Sequence, residues 1–230
     1  MTVDQGMRAP LVGEQLNAVM RGVYGWMTMG LLVTALVAGL LSSINATIPS
    51  GVFFIAVIAQ FGIVIALSAA INRISATVAG MLFFVYAAIT GMTFSLIFMV
   101  YDFGSITAAF ITTSAVFGAM TLVGLTTKMD LSKYSTYFIM GLIGLVIASV
   151  VNIFMGSNAL DFAISVFGVL LFTGLTAWDT QRISQMAADP KFKVGSDETL
   201  KFSVFAALTL YLDFINLFIF LLRLFGGGRD

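Results

Sequence analysis

Long apolar stretches, separated by short polar ones, dominate the chain. Seven of them have the length, ~20 residues, that a helix needs to cross a lipid bilayer. They span approximately 24–43, 52–71, 77–100, 106–125, 134–153, 161–179 and 200–224. The pattern therefore predicts an all-α, polytopic membrane protein with seven transmembrane helices.

The remaining segments are short. Residues 1–23 are polar and lack the apolar core of a cleavable signal peptide, so we expect them in the mature protein. Their apolar residues recur at helical spacing, which is typical of a helix lying along the membrane interface. These residues are Leu16, Val19, Met20 and Val23. The seven-helix domain then occupies 24–224, and 225–230 form a short tail.

The longest polar connection runs from Thr180 to Thr199 and precedes the last helix. Ser196 belongs to the residue types that cap helix N-termini. Asp197 and Glu198 follow it, and anions are favourable at the positive end of a helix. We therefore predict that the last helix begins here.

Cations are unevenly distributed among the connections. The N-terminal segment and alternate loops carry eight, whereas the loops at 44–51, 101–105 and 154–160 carry none. The eight are Arg8, Arg21, Arg73, Lys128, Lys133, Arg182, Lys191 and Lys193. Because Lys and Arg are enriched in cytoplasmic loops, the N-terminus is predicted to be cytoplasmic. A seventh full crossing, which its length favours, places Arg223 and Arg229 outside.

Composition strengthens the membrane interpretation and removes several kinds of chemistry. Of 230 residues, 60% are apolar and 10% charged, whereas soluble domains are ~45–50% apolar. The absence of His and Cys excludes Ser-His triads, thiol nucleophiles, disulfides and zinc sites. Any metal would meet oxygen ligands, which favour calcium or magnesium. The net charge of zero provides no basic surface for nucleic acid.

Asp213 is the most unexpected polar residue, because it lies in the middle of the seventh apolar stretch. A lone aspartate at this depth costs ~2.5–3.5 kcal/mol on insertion scales. Thr209 and Asn216 lie one helical turn on either side of it and complete a polar stripe. A protonated Asp that links helices would be a structural explanation, but an intramembrane carboxylate is a functional candidate by default.

Two further residues are candidates for function. Asp179 lies near the C-terminal end of the sixth helix, where the helix dipole opposes a negative charge. A local pair with Arg182 is the simpler interpretation of this residue. Arg73 lies in the very short turn between the second and third helices, where it could also be a cationic anchor at the membrane surface.

Helix geometry places the two aspartates within about one turn of the same depth. If the sixth helix continues to Met186, Asp179 lies ~10 Å from its end; if the seventh enters lipid near Phe202, Asp213 lies ~16 Å deep. Two carboxylates that meet in a low dielectric share a proton, because they cannot both ionise cheaply. A nearby Arg73 guanidinium could clamp them. Such a group is a proton-sensitive latch that needs no histidine.

Four segments of the chain carry a recognisable pattern: FFVYAAITGMTFSLIFMVY (83–101), AVFGAMTLVGLTTKMDLSKYSTYFIMGLIGLVIASVVNIF (115–154), FTGLTAWDTQRI (172–183) and LTLYLDFINLFIFLLRLFG (208–226). These segments resemble the Bax inhibitor-one family, the transmembrane Bax-inhibitor-motif proteins. They keep the order of the family's motifs and cover nearly all of the chain from the second helix onward. The ending GGGRD lacks the long basic tail of some eukaryotic members and is similar to that of a bacterial inner-membrane member.

The resemblance implies six helices around a central seventh and a pH-sensitive calcium leak, with calcium as the transported ion and no cofactor. In that family, aspartates on helices six and seven form the pH sensor, and an arginine between helices two and three latches it. The family's D-T-Q aspartate matches Asp179, and its L-Y-L-D-F-I-N-L-F aspartate matches Asp213. Arg73 matches by its place in the turn. The implied calcium contacts are the same two aspartates.

Two other functions stay open. A membrane regulator could bind a protease or a death-pathway complex without transporting ions, although no docking motif supports this. An intramembrane aspartyl protease also carries aspartates on two neighbouring helices. Here the contexts Trp178-Asp179 and Leu212-Asp213 differ from the Tyr-Asp and Gly-x-Gly-Asp motifs of those proteases, and no Pro-Ala-Leu follows. We therefore predict that the chain is not an enzyme.

Overall fold

A computed structural model describes residues 3–44, 46–71, 73–189, 192 and 195–226, with side chains from residue 13 onward. Over these residues the fold is helical, and a short 3₁₀ turn at Leu131–Tyr134 precedes the fifth helix. The helices are α1 (Val3–Ser43), α2 (Ser50–Ala70), α3 (Ala76–Val100), α4 (Phe103–Thr126), α5 (Ser135–Met155), α6 (Asn158–Ala187) and α7 (Asp197–Gly226). This confirms the predicted all-α class.

All seven helices contain a span long and apolar enough to cross a membrane. Large apolar side chains such as Phe54, Ile58 and Phe154 point outward and are exposed. Water disfavours an apolar surface of this extent, whereas lipid does not. The chain is an integral membrane protein with seven transmembrane helices, as predicted.

The first helix differs most from the prediction. It runs without a break from Val3 to Ser43, so the polar N-terminal segment continues directly into the first span. Val19 and Val23 are buried, and the Gln15 side-chain amide donates a hydrogen bond to the Asp189 carbonyl at 3.0 Å. The apolar face of this segment therefore packs against protein. Helical spacing alone cannot distinguish lipid from a neighbouring helix, and the location of this segment at the membrane interface stays a prediction.

The last helix begins where the sequence predicted. The Ser196 hydroxyl accepts a hydrogen bond from the Thr199 N–H at 3.2 Å, which satisfies one of the free N–H groups of the first turn. Gly195 precedes it with a φ of +82°, a left-handed conformation that favours glycine. Of the predicted tail, residues 227–230 lie outside the described residues, as do Pro190, Lys191 and Lys193 of the connection.

The chain divides into two compact units. Unit 1 comprises the residues up to Val100 together with Ser184–Tyr211, and unit 2 comprises Tyr101–Ile183 and the residues from Leu212 onward. The boundaries fall within α6 and α7, so both helices contribute to both units.

In unit 1, α1 and α3 pack closely because small residues face large ones. The Phe83 ring lies against Gly30, and Trp26 lies against Gly80. At Gly91, the Thr34 carbonyl oxygen is 2.6 Å from the position that a Cβ would occupy. Close backbone approach at small residues is the usual way in which transmembrane helices associate.

In unit 2, aromatic side chains connect α7 to its neighbours. Phe214 contacts Phe110 and Phe117 of α4 at centroid distances of 5.8 and 5.5 Å. Phe220 stacks on Phe172 of α6 at 5.9 Å. Of the most apolar window of α7, 72% is buried, against 6% for α5. Of the seven helices, the seventh therefore has the most enclosed apolar window.

Candidate functional site

Asp179 of α6 and Asp213 of α7 are hydrogen-bonded to each other through their carboxyl groups, within unit 2. Both are buried, with 7% and 5% of their surface exposed. An ionised carboxylate can only accept hydrogen bonds, so a bond between two carboxyl groups requires a proton on one of them. The structure thus brings together the two aspartates that the sequence singled out, and the proton that they are predicted to share stays a prediction.

The chain neighbours of the two aspartates include aromatic residues that pack against other helices. Phe214 follows Asp213 and packs between two phenylalanines of α4, whereas Trp178 precedes Asp179 and stacks on Phe138 at 5.7 Å. Such surroundings have a low dielectric, in which two neighbouring negative charges repel strongly. Loss of the shared proton would therefore place a large electrostatic stress between α6 and α7.

Several polar atoms beside the pair have no hydrogen-bond partner among the described residues. They are Asp213 Oδ2, Thr180 Oγ1 and Trp178 Nε1, and all three are buried. An unpaired polar atom inside a protein costs ~1–3 kcal/mol, and within the pair itself this cost falls on Asp213 Oδ2.

The acidic groups supply few oxygen ligands for a metal ion. In the part of the chain that the structure describes, no three or more acidic side chains converge as metal ligands. Calcium takes six to eight oxygens, and two carboxyl groups supply only some of them. A calcium ion at Asp179 and Asp213 would therefore keep much of its water.

The two candidate arginines differ in position. Arg182 belongs to unit 2 and its charge acts on Asp179. Its exposed guanidinium lies over the Trp178 ring, 5.6 Å from the centroid. Arg73 belongs to unit 1, with an exposed side chain in the turn between α2 and α3. Its role as a latch stays a prediction.

The side chains of Thr209 and Asn216, the predicted polar stripe, form hydrogen bonds with the backbone of their own helix. The Thr209 hydroxyl donates to the Phe205 carbonyl at 3.2 Å, and the Asn216 amide donates to the Leu212 carbonyl at 2.8 Å. Neither bond involves Asp213, so these two residues are not its hydrogen-bonding partners in the stripe. Thr180 and Trp178 were not candidates in the sequence. The sequence marks them only by their positions next to Asp179.

Three other carboxylates have structural roles. Asp161 accepts a hydrogen bond from Arg223 at 3.2 Å. Asp102 caps α4 and Asp130 caps the 3₁₀ turn, each through a backbone N–H of the following turn. These residues lie at the starts of helices, and they provide matched controls for the buried pair.

Comparison with known proteins gives one family. The family model described as "Inhibitor of apoptosis-promoting Bax1" matches residues 16–230. The chain is 48% identical over 219 residues to the "Inner membrane protein YbhL" of Escherichia coli, covering 93% of each chain. It is 46% identical over 220 residues to an uncharacterized protein of Borreliella burgdorferi, covering 93% of this chain and 94% of that one. An uncharacterized protein of Rickettsia prowazekii, RP147, is 42% identical over 222 residues, at 94% and 92% coverage.

Proposed function

Because this chain belongs to the Bax inhibitor family of membrane proteins, we propose that it is a pH-sensitive calcium leak channel. The observation that carries the proposal is the buried, hydrogen-bonded pair of Asp179 and Asp213. The pair joins two transmembrane helices, and its charge depends on a single shared proton. It can therefore couple proton concentration to the packing of α6 against α7.

Protons have two effects in this mechanism. Protonation removes negative charge, so the attraction of the pair for a cation such as Arg73 falls and the helices that carry that cation are freed to open the cytoplasmic mouth. Protons also compete with calcium for the same carboxyl oxygens, which gives the opposite trend for calcium binding. The balance of the two decides the direction of the pH response.

We place the channel in the bacterial inner membrane with a cytoplasmic N-terminus. The relative named as an inner membrane protein supports the membrane. The distribution of cations supports the orientation. The N-terminal segment and alternate loops carry eight Lys and Arg residues, whereas the loops at 44–51, 101–105 and 154–160 carry none.

The test is calcium flux into liposomes that hold the purified protein, at pH 6, 7 and 8. The wild type should give flux above that of empty liposomes, and its size should change with pH. Asp213→Asn should make the flux independent of pH, because an amide cannot exchange the shared proton. Asp161→Asn, which removes an exposed carboxylate from the same unit, should keep the wild-type profile.

Background flux at every pH would contradict the proposal and favour a regulator that acts by binding partner proteins. An equal pH response in wild type and Asp213→Asn would show that the aspartate pair does not cause the pH dependence of the flux.

The same pair supports a second candidate, an intramembrane aspartyl protease, because two carboxyl groups that share a proton are the acid–base group of aspartic proteases. Cleavage of a model transmembrane substrate, lost in both Asp179→Ala and Asp213→Ala, would establish this activity. Absence of cleavage by a protein preparation that supports calcium flux would remove it.

A further inference from the structure

Unit 1 contains a second buried polar group, which we call the hydroxyl cluster: Thr34, Gln60, Thr90 and Tyr211. Each residue comes from a different helix, in order α1, α2, α3 and α7. Thr34, Thr90 and Tyr211 are 4%, 2% and 0% exposed. All four side chains are neutral at every pH near neutrality, and none was a candidate in the sequence.

Short hydrogen bonds make the cluster continuous. The hydroxyls of Thr34 and Tyr211 are 2.6 Å apart, and the Gln60 side-chain amide donates to the Thr90 hydroxyl at 2.8 Å. The Tyr211 hydroxyl is also within hydrogen-bonding reach of the Thr90 hydroxyl. One chain of polar contacts therefore runs from α2 through α3 and α7 to α1.

Tyr211 joins the two halves of the cluster. The Thr90 hydroxyl donates to the Tyr86 carbonyl at 2.9 Å, and the Thr34 hydroxyl can donate to the Ala87 or Gly30 carbonyl at 2.9 or 3.0 Å. Between Thr34 and Tyr211 either hydroxyl can be the donor, so Tyr211 can accept from Thr34 while it donates to Thr90.

The cluster matters most for α2, because this helix has little other attachment. Only Ala56 and Leu67 of its residues are buried, and 11% of its span is buried against 33% for α3. Gln60 is the middle residue of Ser50–Ala70, and its amide faces protein in a helix whose other side chains mostly face outward. In lipid no water replaces a lost bond, so release of Gln60 leaves its amide unpaired.

We propose that the hydroxyl cluster is a polar lock that holds α2 on α3, with Gln60, Thr90 and Tyr211 as its positioning residues. When the lock is closed, α2 stays against α3; when the Gln60–Thr90 bond breaks, α2 moves as a unit. The consequence for ion flux rests on the proposed channel function. The position of α2 does not, so the two can be tested separately.

The chain has no Cys, so a pair of introduced cysteines can be spin-labelled without background. Phe54 on α2 and Met99 on α3 are exposed and far from the turn that joins the two helices. The distance between labels at F54C and M99C, measured in lipid, reports the separation of α2 and α3. Gln60→Leu and Thr90→Val should each lengthen or broaden this distance.

Three further variants make the result specific. Tyr211→Phe removes only the hydroxyl and keeps the ring contacts with Phe83 and Tyr86, and it should have a smaller effect of the same kind. Thr90→Ser, which keeps the hydroxyl, should restore the wild-type distance. Thr93→Val should change nothing, because the Thr93 hydroxyl donates only to the Thr90 carbonyl of its own helix.

Unchanged distances in both Gln60→Leu and Thr90→Val, with a wild-type elution profile, would overturn the lock. In liposomes, each should raise calcium flux at pH 7 about two- to threefold, the effect of one average interhelical hydrogen bond in a membrane. A changed distance without any wild-type flux would retain the lock and reject the channel. Calcium flux in the wild type together with unchanged label distances in the variants would retain the channel and reject the lock.

Discussion

The two units contain buried polar groups of opposite character. In unit 2, Asp179 and Asp213 bring two ionisable groups together, whereas in unit 1 the hydroxyl cluster joins four neutral side chains. Both groups link helices, but only the first contains side chains that can ionise. Burial of polar atoms alone therefore does not identify a sensor, because the groups must also be able to change charge.

The largest effect is expected where α4 meets α6 beside the aspartate pair. A Cβ at Gly124 would collide with the Ala177 carbonyl oxygen and lie 2.9 Å from Thr180 Cβ. Since backbone cannot rotate away, Gly124→Ala should destabilise the fold by about 1–3 kcal/mol and disturb the pH response. Gly118→Ala on the same helix meets no atom within 4 Å and should be neutral. Thermal unfolding in detergent measures both, and equal melting temperatures would refute the close contact.

The next largest effect distinguishes the two arginines. Arg182→Gln should move the midpoint of the pH–flux profile, by less than about one pH unit because its charge is exposed to solvent. Arg73→Gln tests the latch that the family resemblance implies. If only Arg73→Gln moves the midpoint, the cation that controls the aspartate pair belongs to unit 1. That result would contradict the assignment of the whole pH response to unit 2.

Tyr211→Phe tests the neutral group of unit 1. Because the hydroxyl cluster is neutral, this variant should raise calcium flux by less than about twofold at each pH while the shape of the pH profile stays the same. Flux at pH 6, 7 and 8, normalised to its value at pH 7, measures the shape. A flattened profile would make Tyr211 part of the proton sensor.

The smallest effect is expected at the exposed carboxylates. Asp161 pairs with Arg223 at 3.2 Å, and both side chains are more than a third exposed. Asp161→Asn should therefore cost at most about 1 kcal/mol of stability, and less at high salt. Urea unfolding at low and high salt tests this. A larger loss would show that the ion pair helps to hold α6 and α7 together.

The seven helices could be predicted from the sequence because the length of an apolar run is set by the thickness of the bilayer. The start of α1 could not, since Val19 and Val23 have the same helical spacing whether they face lipid or protein. Asp179 and Asp213 stood out because a carboxylate in an apolar run is costly. The depths predicted for the two aspartates differ by about one helical turn, because each depth is counted from the end of its own helix and the membrane surface is assumed to lie at that end.

The hydroxyl cluster could not be predicted from the sequence, for a different reason. Thr34, Thr90 and Tyr211 are ordinary residues of transmembrane helices, and the sequence does not reveal which helices face one another. Only Gln60, the one amide in the middle of α2, carried a signal. Its partner is 30 residues away, and only the packing of α2 on α3 brings the two together.

Infrared spectroscopy of the purified protein with isotope-labelled aspartate tests the proposed shared proton of Asp179 and Asp213 directly. We predict a protonated-carboxyl band that changes in size between pH 6 and pH 8 and disappears when Asp179 and Asp213 are both replaced by Asn. No such band at any pH in this range, or a band that persists in the double variant, would contradict the account.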